Sequence, residues 1–258
     1  MIKALLTPLY WRSILVLTKA AMIRMNKNSI LGSLWALIQP FVHMCVISYI
    51  FSILLRQSNE TMVKNLAAGL PLWNFLANSL NVAANSLISR ENILKRYRTS
   101  KVMFIISDIA INLFTLGCSL LAMYLLFIIL YFKSLSLIIL LAPFVILPFI
   151  IAVMAVSVAV GFLAPYLRDI PQILTLALTT LYWSVPIVYP YSIVPESKQY
   201  LFEYNPLFLL IRPLQILFIE QRFPEPIHMI KASIVTCISI IVSYVIYRKL
   251  SRNVIYYI

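Results

Sequence analysis

The feature that most constrains this chain is a stretch of 24 residues, positions 32–55, that contains no Asp, Glu, Lys or Arg. It follows directly on the segment RMNKNS (24–29), in which cations and amides are concentrated. An uncharged and mostly apolar run of this length matches a helix that crosses the ~30 Å hydrocarbon core of a membrane. We therefore interpret the boundary between the two stretches as a membrane surface.

The composition of the whole chain agrees with this interpretation. Hydrophobic residues make up 62% of the 258 residues, charged residues make up 11%, and the mean hydropathy is +0.93. A water-soluble protein of this length could not bury so large an apolar fraction in one core. The sequence therefore predicts an all-α integral membrane protein with a single transmembrane domain over residues 1–258.

Hydropathy predicts six transmembrane helices. Their approximate limits are 32–55, 66–88, 102–132, 135–166, 172–190 and 229–247. An even number of crossings places both termini on one side of the membrane. Lys and Arg accumulate on the cytoplasmic side, and fourteen of the 21 lie at the termini and in the two connections on that same side. We expect both termini to be cytoplasmic.

Residues 1–29 predict an amphipathic helix that lies in the cytoplasmic membrane interface before the chain turns inward at Gly32. Four cations share one side of its helical wheel, and a mostly apolar set occupies the other side. The cations are Arg12, Lys19, Arg24 and Lys27, and the opposite set is Trp11, Ile14, Thr18, Met22 and Met25. The alternative is a tail packed against the protein's own surface.

Four asparagines recur in the second predicted span at steps of four, three and four residues: Asn74, Asn78, Asn81 and Asn85. This spacing aligns them along one face of a helix. An unpaired amide in hydrocarbon costs several kcal/mol, so this face must meet another helix or a wet passage. The pattern is compatible with amides that hold helices together and with a hydrophilic lining for hydroxyl-rich cargo.

Two smaller patterns concern the third and fourth predicted spans. Asp108 and Asn112 share a helix face, which fits an interhelical hydrogen bond as well as a role in transport. Ala155, Ala159 and Gly161 are small residues that allow helices to approach closely, so we expect them at a packing surface.

The connection SRENILKRYRTSK (89–101) is short, cationic and mildly amphipathic. It is typical of a positively charged cytoplasmic loop. It also fits a docking helix that carries motion from a soluble motor into the spans, because Glu91 among five cations gives it a specific electrostatic pattern.

The segment NPLFLLIRPLQILFI (205–219) is apolar but too short to cross the membrane, and Arg212 and Pro213 interrupt it. Such segments re-enter the membrane or lie in its interface. We therefore expect residues 191–228 to form an extracytoplasmic re-entrant region. Tyr182 and Trp183, at the outer end of the fifth span, fit an interfacial aromatic belt or a surface that stacks on sugar rings.

Other kinds of site find little support in the sequence. The net charge of +13 fits anionic lipid headgroups better than nucleic acid, because the cations flank the spans. The cysteines and histidines lack the spacing of a metal site, and we expect no cofactor in this chain. The four glycines lie outside any GxxxxGK[ST] motif, so ATP hydrolysis would have to come from a partner.

Several segments together resemble a family, the permease subunits of type-2 ATP-binding-cassette exporters of lipid-linked polysaccharides such as O-antigen, capsule and teichoic acid. The resemblance covers nearly the whole chain through the order and spacing of its motifs. The motifs are Arg24 with SILGSLW (29–35) and Pro40, YLRDIPQIL (166–174), SVPIVYP (184–190) and NPLFLLIRP (205–213).

The resemblance implies a homodimer of six-span subunits in the cell inner membrane, joined to two cytoplasmic ATPase subunits that bind ATP and Mg²⁺. It implies that residues 89–101 act as the coupling helix and residues 191–228 as gate helices. It also implies that membrane lipids surround the chain and that a lipid-linked polysaccharide, for example O-antigen on undecaprenyl diphosphate, is the cargo.

Specific residues follow from the resemblance combined with the patterns above. The coupling residues are Arg90, Glu91, Asn92, Lys95 and Arg96; the lipid-phosphate residues are Arg24 and Lys27; the channel residues are Asn74, Asn78, Asn81, Asn85, Tyr182 and Trp183; and the gate residues are Asn205, Pro206, Arg212 and Pro213. We expect no catalytic residue.

Two alternatives remain compatible with the sequence. A small-molecule or drug exporter of the same superfamily would have an apolar pocket in place of the amide stripe. A membrane-embedded glycosyltransferase would need carboxylates within reach of a membrane-surface site, and Asp108 is the carboxylate at such a depth.

Overall fold

The computed structural model describes residues 8–27, 29–97, 99–131 and 136–258. Within these residues the regular elements are all helices. The α-helices are α1 (Pro8–Asn26), α2 (Trp35–Leu54), α3 (Asn59–Ser86), α4 (Glu91–Arg96), α5 (Lys101–Tyr131), α6 (Ala142–Val145), α7 (Leu147–Leu163), α8 (Ile170–Trp183), α9 (Glu196–Glu203), α10 (Pro206–Gln215) and α11 (Pro226–Leu250). The all-α prediction is confirmed for the described residues.

Four helical segments of the described residues are long and apolar enough to cross a membrane: Gly32–Leu54, Lys101–Ile129, Leu137–Leu163 and Pro226–Leu250. They correspond to the first, third, fourth and sixth predicted spans. The second predicted span lies in α3, which has the length to cross but carries charged and amide side chains. The fifth lies in α8, whose 14 residues reach only about 21 Å.

The helix α3 is the centre of the molecule. It contacts α2, α5, α7, α8 and α10, and 18 of its 28 residues are buried. Because lipid chains are as apolar as leucine, close van der Waals contact stabilises such helix pairs better than hydrophobic transfer does. Aromatic contacts contribute to it, including Phe75 against Phe149 of α7, with ring centroids 6.3 Å apart.

Close approach between α3, α5 and α7 depends on Gly161. A methyl group at Gly161 would lie 2.7 Å from the Ile105 side chain and 3.0 Å from the Ala83 carbonyl oxygen. Ala159 is also buried, at 5% exposure. The predicted packing role is therefore confirmed for these two small residues, whereas Ala155 is half-buried.

The chain termini that the structure describes lie at one end of the helical bundle. Thr18 of α1 donates a hydrogen bond to the Ser107 carbonyl oxygen at 3.3 Å. The Lys101 ammonium donates to the Ser251 carbonyl oxygen at 2.9 Å, and the Tyr166 hydroxyl donates to the Leu250 carbonyl oxygen at 2.8 Å. We name this end, which also carries α4, the α4 end; the opposite end carries α10 and is named the α10 end.

The bend before the first span occurs at Gly32, where the sequence places it. Gly32 has a φ of +48°, a left-handed conformation that favours glycine, and its N–H donates to the Ser29 hydroxyl at 3.0 Å. A 3₁₀ turn (Gly32–Leu34) then leads into α2. Residues 1–7 of the predicted interface helix lie outside the described residues.

The helix α1 packs along α5 and is less clearly two-sided than the sequence predicts. Ile14 and Tyr10 are buried at the contact, whereas Thr18 and Met22 are half-buried. Trp11, from the predicted apolar face, is 51% exposed. The reason is that α5 covers only one edge of α1, which leaves apolar and cationic side chains mixed on the exposed arc.

Two predicted spans are interrupted by proline. The fourth comprises a 3₁₀ turn (Leu137–Leu141), the short α6 and then α7, with Pro148 at the start of α7. The fifth ends at Trp183 rather than near residue 190, because Pro186 removes a backbone donor and cannot continue the helix. Residues 185–188 are nevertheless buried, which explains why they resemble a span in the sequence.

We predict that Gly161→Ala lowers the thermal stability of the purified protein. The added methyl group must displace Ile105 or the α3 backbone, and overpacking of this kind costs about 1–3 kcal/mol. The matched control is Gly117→Ala in α5, where a methyl group meets no atom within 4 Å. In the control, better helix propensity should leave the apparent Tm equal or higher; equal losses in both variants would contradict the packing described.

Candidate functional site

A polar groove runs along one face of α3. The helices α2 and α8 flank it near the α10 end, and α5 flanks it towards the α4 end, together with α1 and the start of α2. Three adjoining cavities of about 410, 450 and 440 Å³ form it. Asn81 lines both the first and the third cavity, and Val82 lines both the first and the second, so the first cavity adjoins each of the other two. We name this feature the amide groove and define it by Asn74, Asn78, Asn81 and Asn85.

All four asparagines of the predicted stripe contribute to the amide groove. Asn78 and Asn85 are exposed, and Asn74 and Asn81 are half-buried. Asn85 Nδ2 donates to the Asn81 carbonyl oxygen at 3.0 Å, and the Thr175 hydroxyl of α8 lies 3.4 Å from Asn81 Oδ1. Most of their amide groups therefore face the groove and not a neighbouring helix. This does not support the interpretation that the asparagines hold together helices of one subunit.

Aromatic side chains line the α10 end of the groove. The rings of Trp73 and Tyr182 are 5.3 Å apart, and Tyr182 in turn meets Trp183 edge-on at 5.3 Å. Tyr182 lines the groove, whereas Trp183 is 56% exposed and is absent from the residues that line these cavities. The structure thus joins Tyr182 directly to the asparagine stripe and places Trp183 beside it.

An ion pair lines the opposite, α4 end of the groove. Arg90 binds Asp108 through two hydrogen bonds, Nη1 to Oδ2 at 2.7 Å and Nη2 to Oδ1 at 2.6 Å. The Ser86 hydroxyl donates to the same carboxylate at 2.6 Å. Asp108 therefore forms the interhelical contact that was one of its two sequence interpretations, and Arg90 points into the bundle rather than away from it.

The other predicted coupling residues lie on the short helix α4, which presents an exposed surface at this end of the bundle. Glu91, Asn92, Lys95 and Arg96 are exposed, while Leu94 is buried and fixes the helix to the bundle. A hydrogen bond from the Lys95 ammonium, together with its charge, lowers the pKa of the Glu91 carboxyl group. The surface therefore carries one carboxylate among cations.

The predicted lipid-phosphate residues, Arg24 and Lys27, are exposed at the C-terminal end of α1. Close to them in the chain, Met22 and Ser29 line the cavity that also contains Asn78. The polar members of its wall are uncharged: Ser29, Ser33, Gln39, Asn78, Asn112 and Thr115. Asn112 Nδ2 is buried and has no hydrogen-bond partner among the described residues, so a donor is available there.

The predicted gate residues lie at the start and in the last turn of α10. Asn205 caps the helix, with Oδ1 accepting from the Leu207 N–H at 2.9 Å, and Pro206 occupies the first turn. The Arg212 guanidinium binds Glu220 at 3.0 Å and lies 5.2 Å from the centroid of the Tyr191 ring. A π-helical turn (Ile216–Glu220) follows α10 and brings Glu220 back towards Arg212.

Sequence reasoning missed two amides that hold the segment between α8 and α10. Asn65 Nδ2 donates to the Ile187 carbonyl oxygen at 2.7 Å, and Gln215 Nε2 donates to the Pro186 carbonyl oxygen at 2.6 Å. Both side chains are 1% exposed. The available signal was a single amide within each apolar stretch, but the carbonyl groups that they bind are distant in sequence.

The fold and the groove together define a multi-pass helical membrane protein with a polar groove along its central helix. Residues 12–219 match the family model described as ABC-2 type transporter. This match covers most of the chain, and the chain therefore belongs to the ABC-2 type transporter family. It is a membrane transport permease.

The chain is also similar to two proteins called O-antigen export system permease protein RfbA. The one from Myxococcus xanthus is 25% identical over 201 residues, which cover 77% of each chain. The one from Klebsiella pneumoniae is 24% identical over 195 residues, which cover 75% of each chain.

We predict that the amide groove contains water. In a variant without native cysteines, Asn78→Cys and Asn85→Cys should react with a water-soluble maleimide about tenfold faster than Ser79→Cys, because reaction requires a hydrated thiolate. Ser79 lies on the adjacent, fully buried face of α3 and is the matched control. Labelling of Asn78→Cys as slow as that of Ser79→Cys would contradict a wet groove.

Proposed function

We propose that this chain is the membrane-spanning subunit of an ATP-driven exporter of lipid-linked polysaccharide. The observation that carries the proposal is the amide groove, a row of uncharged hydrogen-bonding groups along the central helix of a membrane permease. The names of the relatives favour O-antigen as the cargo. Capsule and teichoic acid are cargoes of the same chemical class.

The chemistry of the groove suits sugars better than ions or apolar compounds. Amide and hydroxyl groups of Asn74, Asn81, Thr175 and Thr179 can exchange hydrogen bonds with sugar hydroxyls much as water does. The cavity around them contains no Asp, Glu, Lys or Arg, and the charged residues at the α4 end of the groove, Arg90 and Asp108, neutralise each other. A neutral glycan can therefore move without being trapped by an unpaired charge. Tyr182 adds an aromatic face on which a sugar ring can stack.

A second copy of the chain would complete the conduit. In one subunit α2 and α8 flank the part of the groove that contains Asn74 and Asn81. Both flanking helices present exposed apolar side chains there and nearby: Val46, Tyr49 and Ile53 on α2, and Ile173 and Leu176 on α8. A homodimer formed by these helices would cover the groove and leave its amides facing the partner across a polar space.

The cargo would enter at the α4 end, beside α1. Arg24 and Lys27 offer positive charge for a diphosphate, and the neutral cavity beside them offers hydroxyls, amides and the Asn112 donor for the first sugars. The cargo would leave at the α10 end, where α10 and the residues around it act as re-entrant gate helices. Asn205, Pro206, Arg212 and Pro213 would set the position of this gate.

The arrangement in the membrane follows from the same proposal. The helices α2, α3, α5 and α11 would cross the inner membrane, as would α7 together with the turn and α6 before it, and α8 together with residues 184–190 after it. Both termini and α4 would lie in the cytoplasm. Two ATPase subunits would bind there, supply ATP and Mg²⁺, and contact the exposed surface formed by Glu91, Asn92, Lys95 and Arg96.

Deletion of the gene followed by complementation tests the proposed function. The deletion strain should lose its surface polysaccharide and accumulate lipid-linked glycan on the cytoplasmic face of the inner membrane. A double variant, Asn78→Leu with Asn81→Leu, should restore export about tenfold less well than the wild type, because two apolar side chains remove hydrogen-bonding groups from the path. The readout is surface glycan measured by immunoblotting.

The matched control is Val82→Leu, which changes an apolar residue in the wall of the same groove and should export normally. Dimer formation should persist in all variants when measured by crosslinking. Intact surface polysaccharide in the deletion strain would reject the function. Loss of dimers in the double variant would show instead that the asparagines hold subunits together.

A second prediction concerns the proposed ATPase contact. Glu91→Arg removes the only carboxylate of the described α4 surface and should reduce stimulation of ATP hydrolysis by the membrane subunit about tenfold, because a close charge pair with the partner turns into repulsion. Glu196→Arg, the same change on the exposed α9 helix, is the control and should have no effect. If ATPase stimulation and export are unchanged in Glu91→Arg, residues 89–101 serve only as a positively charged cytoplasmic loop that fixes the topology.

A further inference from the structure

The joint between α3 and α4 is not a continuous helix. A 3₁₀ turn (Ile88–Arg90) separates the two, and Arg90 has φ −114° and ψ 22°, outside the helical range. Tyr97, at the other end of α4, has an extended backbone. Because the helical backbone is interrupted at Arg90 and ends at Tyr97, side-chain contacts with the bundle add to the covalent connection in passing a force on α4 to the long helices.

One carboxylate joins three segments at this joint. Asp108 belongs to α5, Ser86 is the last residue of α3, and Arg90 is the residue directly before α4. Besides its two bonds to Asp108, Arg90 Nη1 donates to the Ser86 carbonyl oxygen at 2.9 Å. The guanidinium also lies 5.5 Å from the centroid of the Phe104 ring in α5.

This ion pair has the geometry of a rigid link. The planar guanidinium and the planar carboxylate meet through two parallel bonds, which fixes their relative orientation as well as their distance. The side chains of Arg90 and Asp108 are only 22% and 9% exposed, so water competes little for these bonds. In contrast, the Glu91–Lys95 pair is nearly half-exposed and lies within α4 itself; it cannot connect α4 to the bundle.

The link also adjoins the proposed conduit. Arg90, Asp108 and Ser86 line the same cavity as Asn81 and Asn85. A rotation of α4 that pulls on Arg90 would therefore displace the last turns of α3, which carry these two asparagines, together with the first turns of α5.

We propose that the Arg90–Asp108 ion pair is the element that transmits motion from α4 to the amide groove. Arg90 is a positioning residue: it acts through Asp108 and Ser86 and does not contact the ATPase. This inference rests on the proposed function for its direction of transport. It assigns Arg90 a different role from the exposed residues of α4, with which the sequence groups it.

The test uses the full complex reconstituted in lipid vesicles with its ATPase and lipid-linked glycan. In Arg90→Lys, which keeps the charge but loses the two parallel bonds, the ATPase should still copurify in wild-type ratio and hydrolyse ATP. Glycan exported per ATP hydrolysed should fall about tenfold, a typical size for coupling between sites. Asp108→Asn should have the same effect. In the double variant Arg90→Lys with Asp108→Asn, glycan exported per ATP should fall no further than in either single variant.

The matched control is Arg252→Lys, the same substitution at an exposed arginine of the α4 end, which should leave glycan exported per ATP unchanged. Loss of ATPase copurification in Arg90→Lys would overturn the proposal, because Arg90 would then contact the partner. Additive losses in the double variant would also overturn it, since the two residues would act separately.

A second readout does not depend on the cargo. In the cysteine-free background, ATP added to the complex should change the rate at which a water-soluble maleimide labels Asn85→Cys. The change should vanish when Arg90→Lys is also present. The proposed link would be overturned if ATP still changed the labelling rate in Arg90→Lys, or if ATP had no effect on labelling in the wild-type background. A wild-type complex whose labelling responds to ATP but which exports no glycan would reject only the proposed function.

Discussion

The structure depends on one constraint: hydrocarbon offers no hydrogen bond, so a polar group inside a membrane needs a partner from the protein or from water. The central helix α3 meets this constraint in two ways. On its covered side, Asn65 binds the Ile187 carbonyl group. On its uncovered side, Asn78 and Asn85 are exposed and Asn74 and Asn81 are half-buried, so water or a second molecule must satisfy much of their hydrogen-bonding capacity. The proposed conduit follows from that second face.

The same constraint accounts for the irregular segments. After α8 the backbone is non-helical but buried, and two amides, Asn65 and Gln215, donate to its carbonyl groups. At the α4 end the carboxylate of Asp108 is buried but has Arg90 and Ser86 as partners. These polar contacts also join segments that are distant in sequence. The segment after α8 and the joint between α3 and α4 are therefore held to the long helices by specific bonds as well as by apolar contact.

Much of the helical architecture could be predicted from the sequence, because hydropathy and a period of 3.6 residues are local properties. The limits of α5 and the stripe from Asn74 to Asn85 are examples. The partners of Asn65 and Asp108 could not be predicted, since they lie 122 and 18 residues away and periodicity carries no information about such pairs. The end of α8 was misplaced because apolar residues after Pro186 are buried without being helical.

The central claim is that the asparagine face of α3 borders a hydrated space between two subunits. The most direct measurement is a cryo-electron microscopy structure of the complex with its ATPase in a lipid nanodisc, at a resolution that shows side chains and ordered water. The account predicts the two amide grooves facing each other across a water-filled path that runs from the α4 end to the α10 end. Asparagines that contact lipid, or that pack against protein side chains without water, would contradict it.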